Sequence, residues 1–524
     1  MRNRVASALL QVGLVAVALV ALPYRMFELD RYFVPKELVL HIVALALFAL
    51  VIVRAGAVTI DTADTLLALF IAWSTASALF ATNYWAAQRA LGVSVSSAVI
   101  FWAARRLGAA GAYRSILIGA AIATVCAAMT GLLQAYGYAS DFVSLNRAPG
   151  GTFGNRNFVA HFCVIGLPAL VYVTVTARTS LGALLGSLGG VAVAALLVLS
   201  RSRGAWLAIA ATLVALAMPL LASRRYWSGK HVGGRFARMA LAAVVGVAGA
   251  IALPNRLNWT SESPYLDSAR GIVDYSSGSG RGRLAQYVNS MRMAIGNPVF
   301  GVGPGNWPVR YVRYAPANDR SLKDDGMAAN PWPSSDWVAF VSERGTIGAL
   351  ALLAVFAALF FAALRHWSAL PDGDAVLARL VVIGTIVATL VVSAFDAVLL
   401  LPAPAFLAWS VIGAASGAGR AVAERPLSRR RWSIAAVAVG LIVAASLARS
   451  AAQTAAIEEV GAGGSRAGWL NAAMWDPGSY RINMRVADLY AGRGQCRSAR
   501  VYAHRALGLF PYASAPRQLL RRCG

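Results

Sequence analysis

The chain has 524 residues, 58% of them hydrophobic and 13% charged, with a mean hydropathy of +0.60. No soluble core absorbs that much apolar sequence, so the composition excludes a soluble enzyme and predicts an all-α, polytopic membrane protein. The net charge of +26 is read as topology and contact with anionic membrane lipids, not as a nucleic-acid footprint.

Apolar stretches long enough to cross the hydrocarbon lie near 5–23, 37–53, 64–81, 88–104, 115–136, 157–177, 181–199, 204–222, 237–253, 345–364, 377–396, 400–418 and 432–448. These make about thirteen transmembrane helices. No small-residue cleavage site follows the first, which is expected to be a retained helix rather than a signal peptide. With the N-terminus inside, 19 basic residues fall on cytoplasmic loops against 8 on the short external ones. The positive-inside rule therefore predicts an N-in chain, and an odd number of spans puts the C-terminus outside. Two units follow: a membrane domain over 1–448, with a long external loop at 255–343, and an external tail over 449–524. A loop of that length is usually functional or separately folded.

The motifs cluster on the predicted outer side. "GGTFGNRNFVAHF" (150–162) is a Gly-rich stretch opening the sixth span. Its backbone amides and helix N-terminus suit an anion, with Asn155, Arg156 and Asn157 as candidate substrate ligands. "LSRSRGAW" puts Arg201 and Arg203 in a turn between two spans, against the charge rule. "GSGRGRLAQY" (278–287) supplies Arg281 and Arg283 ahead of a predicted amphipathic helix. "NPVFGVGPGNW" (297–307) is turn-rich and includes Asn306, and "PSSDWVAFVSERG" (333–345) brings Asp336 and Glu343 to the mouth of the tenth span. Arginine grips phosphate bidentately and keeps its charge, so these elements predict a large anionic group held without a metal or other cofactor.

Conventional enzyme signatures are lacking. There is no P-loop, GxSxG or HExxH, and the five histidines (His41, His161, His231, His366, His504) are scattered. In the tail, Ala487, Tyr490, Gly494, Ala499, Ala506 and Pro511 follow the spacing of a tetratricopeptide repeat. That spacing predicts a helical hairpin for docking a partner; a generic hairpin is the alternative. Cys126 and Cys163 fall within spans. Cys496 and Cys523 share the tail and are a candidate disulfide in an oxidising compartment.

Taken in order over about 60–420, "GTFGNRNF", "SRSRGAWLA", "GRLAQY…NPVFGVGPGNW" and "DWVAFVSERGTIGALAL" resemble the O-antigen ligase and polymerase family of membrane glycosyltransferases. The resemblance implies a GT-C-like fold in the bacterial inner membrane and a glycan donor on undecaprenyl pyrophosphate at the periplasmic face. The acceptor would be a lipid A core, another lipid-linked repeat or a protein, and other polysaccharide-assembly proteins are expected partners of the tail. Arg203 and Arg283 match the family arginines thought to hold the pyrophosphate; Arg201 and Arg281 would assist. The family's usual histidine is replaced here by Ser334, a poor general base. Three alternatives stand: Asp336 takes the role, His161 does, or the activity is lost or altered. A flippase for lipid-linked sugars and a non-catalytic scaffold are the readings from other classes.

Overall fold

A computed structural model describes residues 2–53, 59–143, 147–226, 232–259, 261, 263–271, 278–319, 321–323, 325, 327–365, 367, 373–418, 425–426, 428–461 and 463–524. His231 and His366 lie outside the described residues. The membrane body begins with α1 (Arg2–Leu19), α2 (Asp30–Leu47), α3 (Thr62–Ala78), α4 (Tyr84–Leu107) and α5 (Tyr113–Ala135). It continues through α6 (Arg156–Val175), α7 (Ser180–Ser200), α8 (Arg203–Ala222) and α9 (Val232–Ala252). The long loop carries α10 (Pro264–Arg270), α11 (Gly278–Ile295) and α12 (Trp307–Arg310). The body then resumes with α13 (Asp336–Leu364), α14 (Gly373–Phe395), α15 (Pro402–Gly417) and α16 (Arg429–Gly461). Four tail helices follow: α17 (Arg466–Trp475), α18 (Tyr480–Ala491), α19 (Cys496–Leu509) and α20 (Ser514–Arg522).

Every apolar stretch expected from the sequence lies in a helix, and the protein is a polytopic membrane protein. Among the described residues, ten helical segments are long and apolar enough to cross a membrane. One of them, Tyr84–Ala135, is α4 and α5 run together around Gly111 (φ +84°). The 17-residue α3 and 16-residue α15 are shorter but pack into the same bundle. Between apolar helices lipid gives no hydrophobic drive, so close contact through small residues does the work. A Cβ on Gly417 of α15 would sit 2.1 Å from the Arg105 carbonyl of α4.

Polar groups fix the helix ends. Asp61 and Asp64 form a capping box at the start of α3, and both carboxylates also bind the buried guanidinium of Arg105. A two-residue antiparallel pairing of Thr59–Ile60 with Arg425–Pro426 lies close by in sequence. At the opposite end, α13 breaks at Gly345 (φ +70°). The break lets the turn-rich loop dock on open helix carbonyls: Val302 N donates to Ser342 O (3.0 Å) and Gly303 N to Glu343 O (2.9 Å).

The 33-residue α16 runs on beyond the bundle into the tail. Its Ala456, Ile457 and Val460 join Trp469, Ile482 and Val486 of the tail and Phe27 and Val34 from the start of the chain in one apolar cluster. Ser514 N donates to Asp325 O (2.8 Å), so tail and long loop share one face, here called the loop face. Buried Ala487, Ala499 and Ala506 line the contact of α18 with α19, the turn between them uses Gly494 (φ +73°), and Cys496 is bonded to Cys523.

Candidate active site

The Gly-rich stretch forms a tight 3-10 turn (Gly151–Phe153) that feeds α6. Asn155 caps the helix, its side chain accepting from Asn157 N at 3.0 Å. That satisfies an amide left open at a helix start, and it engages Asn155 in the fold. Asn157 Nδ2 donates to Asp396 Oδ2 at 3.2 Å. One turn on, on the same helix face, His161 is 2% exposed. Its Nε2 lies 3.3 Å from Ser202 Oγ, while its Nδ1 has no partner among the described residues.

Ser202 belongs to the arginine turn. Arg201 ends α7 in the left-handed region (φ +52°), Ser202 is extended, and Arg203 is the first residue of α8. Arg201 Nε donates to Ser268 Oγ of α10 at 2.7 Å, and its guanidinium sits 4.6 Å from the Trp259 ring centre. Burial lowers the Arg201 pKa from its ordinary value, against the pull of Asp267. Arg203 donates to the Gly271 carbonyl. Arg156 approaches the same Trp259 ring at 5.4 Å, and the charges of Arg201, Arg147 and Arg203 all act on it. Beside it lies a cavity of about 400 Å³ lined by Arg147, Arg156, Arg256 and Trp259, with no acid among the described residues of its wall. Arg147, like Arg201, is held at positive φ (+56°), a conformation that costs a non-glycine residue and tends to occur at functional sites. Converging arginines make a seat for an anion.

Helix α11 docks against this group from the long loop. Gln286 Oε1 accepts from Ser334 N (2.7 Å), and the Tyr287 hydroxyl meets Ser334 O (2.6 Å) and Ala394 O (3.2 Å). Arg283, one turn before Tyr287, acts electrostatically on His161, as does Asp396. Arg281 is exposed on the same helix. The structure thus sets His161 against Ser202, the neighbour of Arg203, with Asp396 held one turn away by Asn157 and Arg283 near enough for its charge to reach His161.

Three other predicted residues are occupied by backbone. Asp336 is fully buried and accepts from Val398 N (3.1 Å), Leu399 N (2.6 Å) and Leu400 N (3.4 Å). Glu343 accepts from Gly305 N (2.8 Å) and Trp307 N (3.0 Å). Asn306 accepts from Asn83 N (2.7 Å) and donates to Asn83 O (3.1 Å). Each clamps a loop to the bundle. Asp396, Ser202, Arg147, Arg256 and Trp259 were not singled out from the sequence. Only Asp396 had a visible signal, a lone carboxylate ending an apolar span in "VVSAFDAVLL".

No curated protein matches the chain. Residues 188–353 match the family model for O-antigen ligase. That segment spans the arginine turn, α11, the docking loop and the kinked start of α13. The match covers that segment of the chain and supports the resemblance to the O-antigen ligase and polymerase family that the motifs carry.

Proposed function

We propose that the protein transfers a glycan from undecaprenyl pyrophosphate to an acceptor hydroxyl at the periplasmic face of a bacterial inner membrane. The observation that carries this reading is the meeting of Arg203 and Arg283 with His161 and Asp396 at the arginine turn. In the transfer, the acceptor O–H gives its proton to His161, and the oxygen attacks the anomeric carbon of the glycan. The bond from that carbon to the pyrophosphate oxygen breaks, and its electron pair leaves with undecaprenyl pyrophosphate. Arg203 and Arg283 stabilise the charge growing on that leaving group, a role that preorganised donors perform at a few kcal/mol each. In binding phosphate, Arg203 gives up its bond to the Gly271 carbonyl. Asp396 stabilises the imidazolium as it forms, and Asn157 holds Asp396. Asp336 is a positioning residue: it holds the 398–400 amides and so the turn that carries Asp396.

An N-in, C-out orientation agrees with this reading. The Cys496–Cys523 disulfide supports a tail in an oxidising compartment, and the tail shares the loop face with the arginines. The test is a purified, reconstituted assay with undecaprenyl-pyrophosphate-linked glycan and candidate acceptors. Released undecaprenyl pyrophosphate should appear with wild type and fall by about 10²-fold or more with Arg283→Ala. Equal release from both would overturn the arginine role.

A further inference from the structure

A second cavity, of about 340 Å³, opens on the loop face, at the lower end of the ~300–1,000 Å³ typical of small-molecule sites. Its wall combines α2, α4, the kink of α13 and the upper part of α16 with the tail segment Gly478–Arg481 and Phe510. Leu399–Leu401 also line it, and they belong to the turn that starts at Asp396. The cavity therefore meets the arginine and histidine site across one short stretch of backbone, the stretch clamped by Asp336.

The chemistry of this wall differs from that of the arginine cavity. Five of its side chains leave one buried polar atom each without a partner among the described residues: Glu37 Oε2, Arg344 Nε, Arg449 Nε, Gln453 Oε1 and Tyr480 Oη. Native proteins keep few such atoms, because each carries its full desolvation penalty. Gathered round one cavity, they point to a ligand. Two are acceptors, two are donors, and the tyrosine hydroxyl is both. A phosphate would call for donors alone and a metal cation for acceptors alone. Five cationic side chains stand against four anionic ones in this wall, so its charges nearly cancel; Glu37 pairs with Arg89 at 2.7 Å and Glu343 lies beside Arg344. Phe33 and Trp332 meet edge to face at 5.2 Å in the same wall and offer an apolar surface to a ring carrying C–H groups. A neutral, polyhydroxylated ring meets all of these demands, because each hydroxyl both donates and accepts.

We propose that this cavity seats a neutral sugar unit of the glycan, and that the tail forms a wall of that seat. Assigning the sugar to the acceptor rests on the transfer reading above. The binding of a sugar does not.

The test uses the full chain in nanodiscs and an oligosaccharide released from the host's own surface polysaccharide, with binding read by saturation-transfer NMR and titration. Wild type should bind, and Gln453→Leu and Tyr480→Phe should each weaken binding by about tenfold. Tyr480→Phe removes a single oxygen and guards against a folding defect. Inorganic pyrophosphate affinity should be unchanged in both variants, and Arg203→Ala should leave oligosaccharide binding intact. The proposal is overturned if wild type does not bind, if both variants bind like wild type, or if they lose pyrophosphate instead of sugar. Sugar binding that depends on Gln453 and Tyr480 in a protein with no transfer activity would keep this seat and reject the transfer reading.

Discussion

Asn157 Nδ2 donates to Asp396 Oδ2 at 3.2 Å, joining the first turn of α6 to the end of α14 across 239 residues of sequence. The contact fixes the carboxylate on the helix face that carries His161. Two consequences can be measured. His161→Ala should lower turnover by about 10²-fold or more, the usual scale for losing a proton acceptor. Asn157→Ala should cost less, because Asp396 keeps its bond from Ala397 N (3.0 Å). A histidine variant with full turnover would remove His161 from the mechanism.

The arginine turn should not tolerate lysine. Arginine presents a planar fork of donors, whereas lysine offers a point charge. Arg203→Lys should therefore resemble Arg203→Ala in turnover, with a loss of about 10²–10³-fold. Recovery of most activity by lysine would mean that charge alone suffices there.

Asp336→Ala should act first on stability. It strips the acceptor from three amides, at 398, 399 and 400, and a buried donor left unpaired costs ~1–3 kcal/mol. Thermal unfolding in detergent should shift clearly downward, and Asp336→Asn, which retains one acceptor oxygen, should fall in between. An Asp336→Ala protein as stable as wild type but devoid of turnover would instead make Asp336 the proton acceptor.

Gly345→Ala should fail to give a monodisperse protein on size exclusion. The position needs φ +70°, and an added Cβ would lie 1.9 Å from the Val299 carbonyl. The turn-rich loop could no longer dock on α13. Normal folding of this variant would show that the kink is dispensable.

Cys496→Ser should loosen the tail. The bond closes a loop with a sequence separation of 27 residues, for which ~2–4 kcal/mol of stabilisation is typical. Limited proteolysis should cut the tail of the variant, or of reduced wild type, well before the membrane body. Equal resistance with and without reductant would contradict this.

The parts of the fold legible in the sequence are those set by local rules. Length and hydropathy placed a helix under each apolar stretch, and the arginines at 201 and 203 stood out because they break the charge rule. Arg283 was legible from its motif and His161 from its place beside the Gly-rich turn. The opposite holds where a side chain works over long sequence distances. Asp336 reads as a candidate base until it is seen to clamp amides 62 to 64 residues away. Asn306 likewise binds Asn83, 223 residues back. Arg147 lies on one unremarkable loop segment and Arg256 and Trp259 on another, and contacts such as Arg256 N with Ala135 O and Arg201 with the Trp259 ring gather them. A residue's availability for chemistry depends on such partners, and no local pattern encodes them.

The central claim, that the arginine turn serves glycan transfer from a lipid pyrophosphate, is tested most directly by the glycans of a deletion strain. Lipid-linked and surface glycans would be profiled after complementation with wild type or with Arg203→Ala. The account predicts that the deletion and the Arg203→Ala strain accumulate the same lipid-linked glycan, and that wild type clears it. Single repeats would identify a polymerase and full-length polymer a ligase. Normal surface polysaccharide with no lipid-linked accumulation in the Arg203→Ala strain would contradict it.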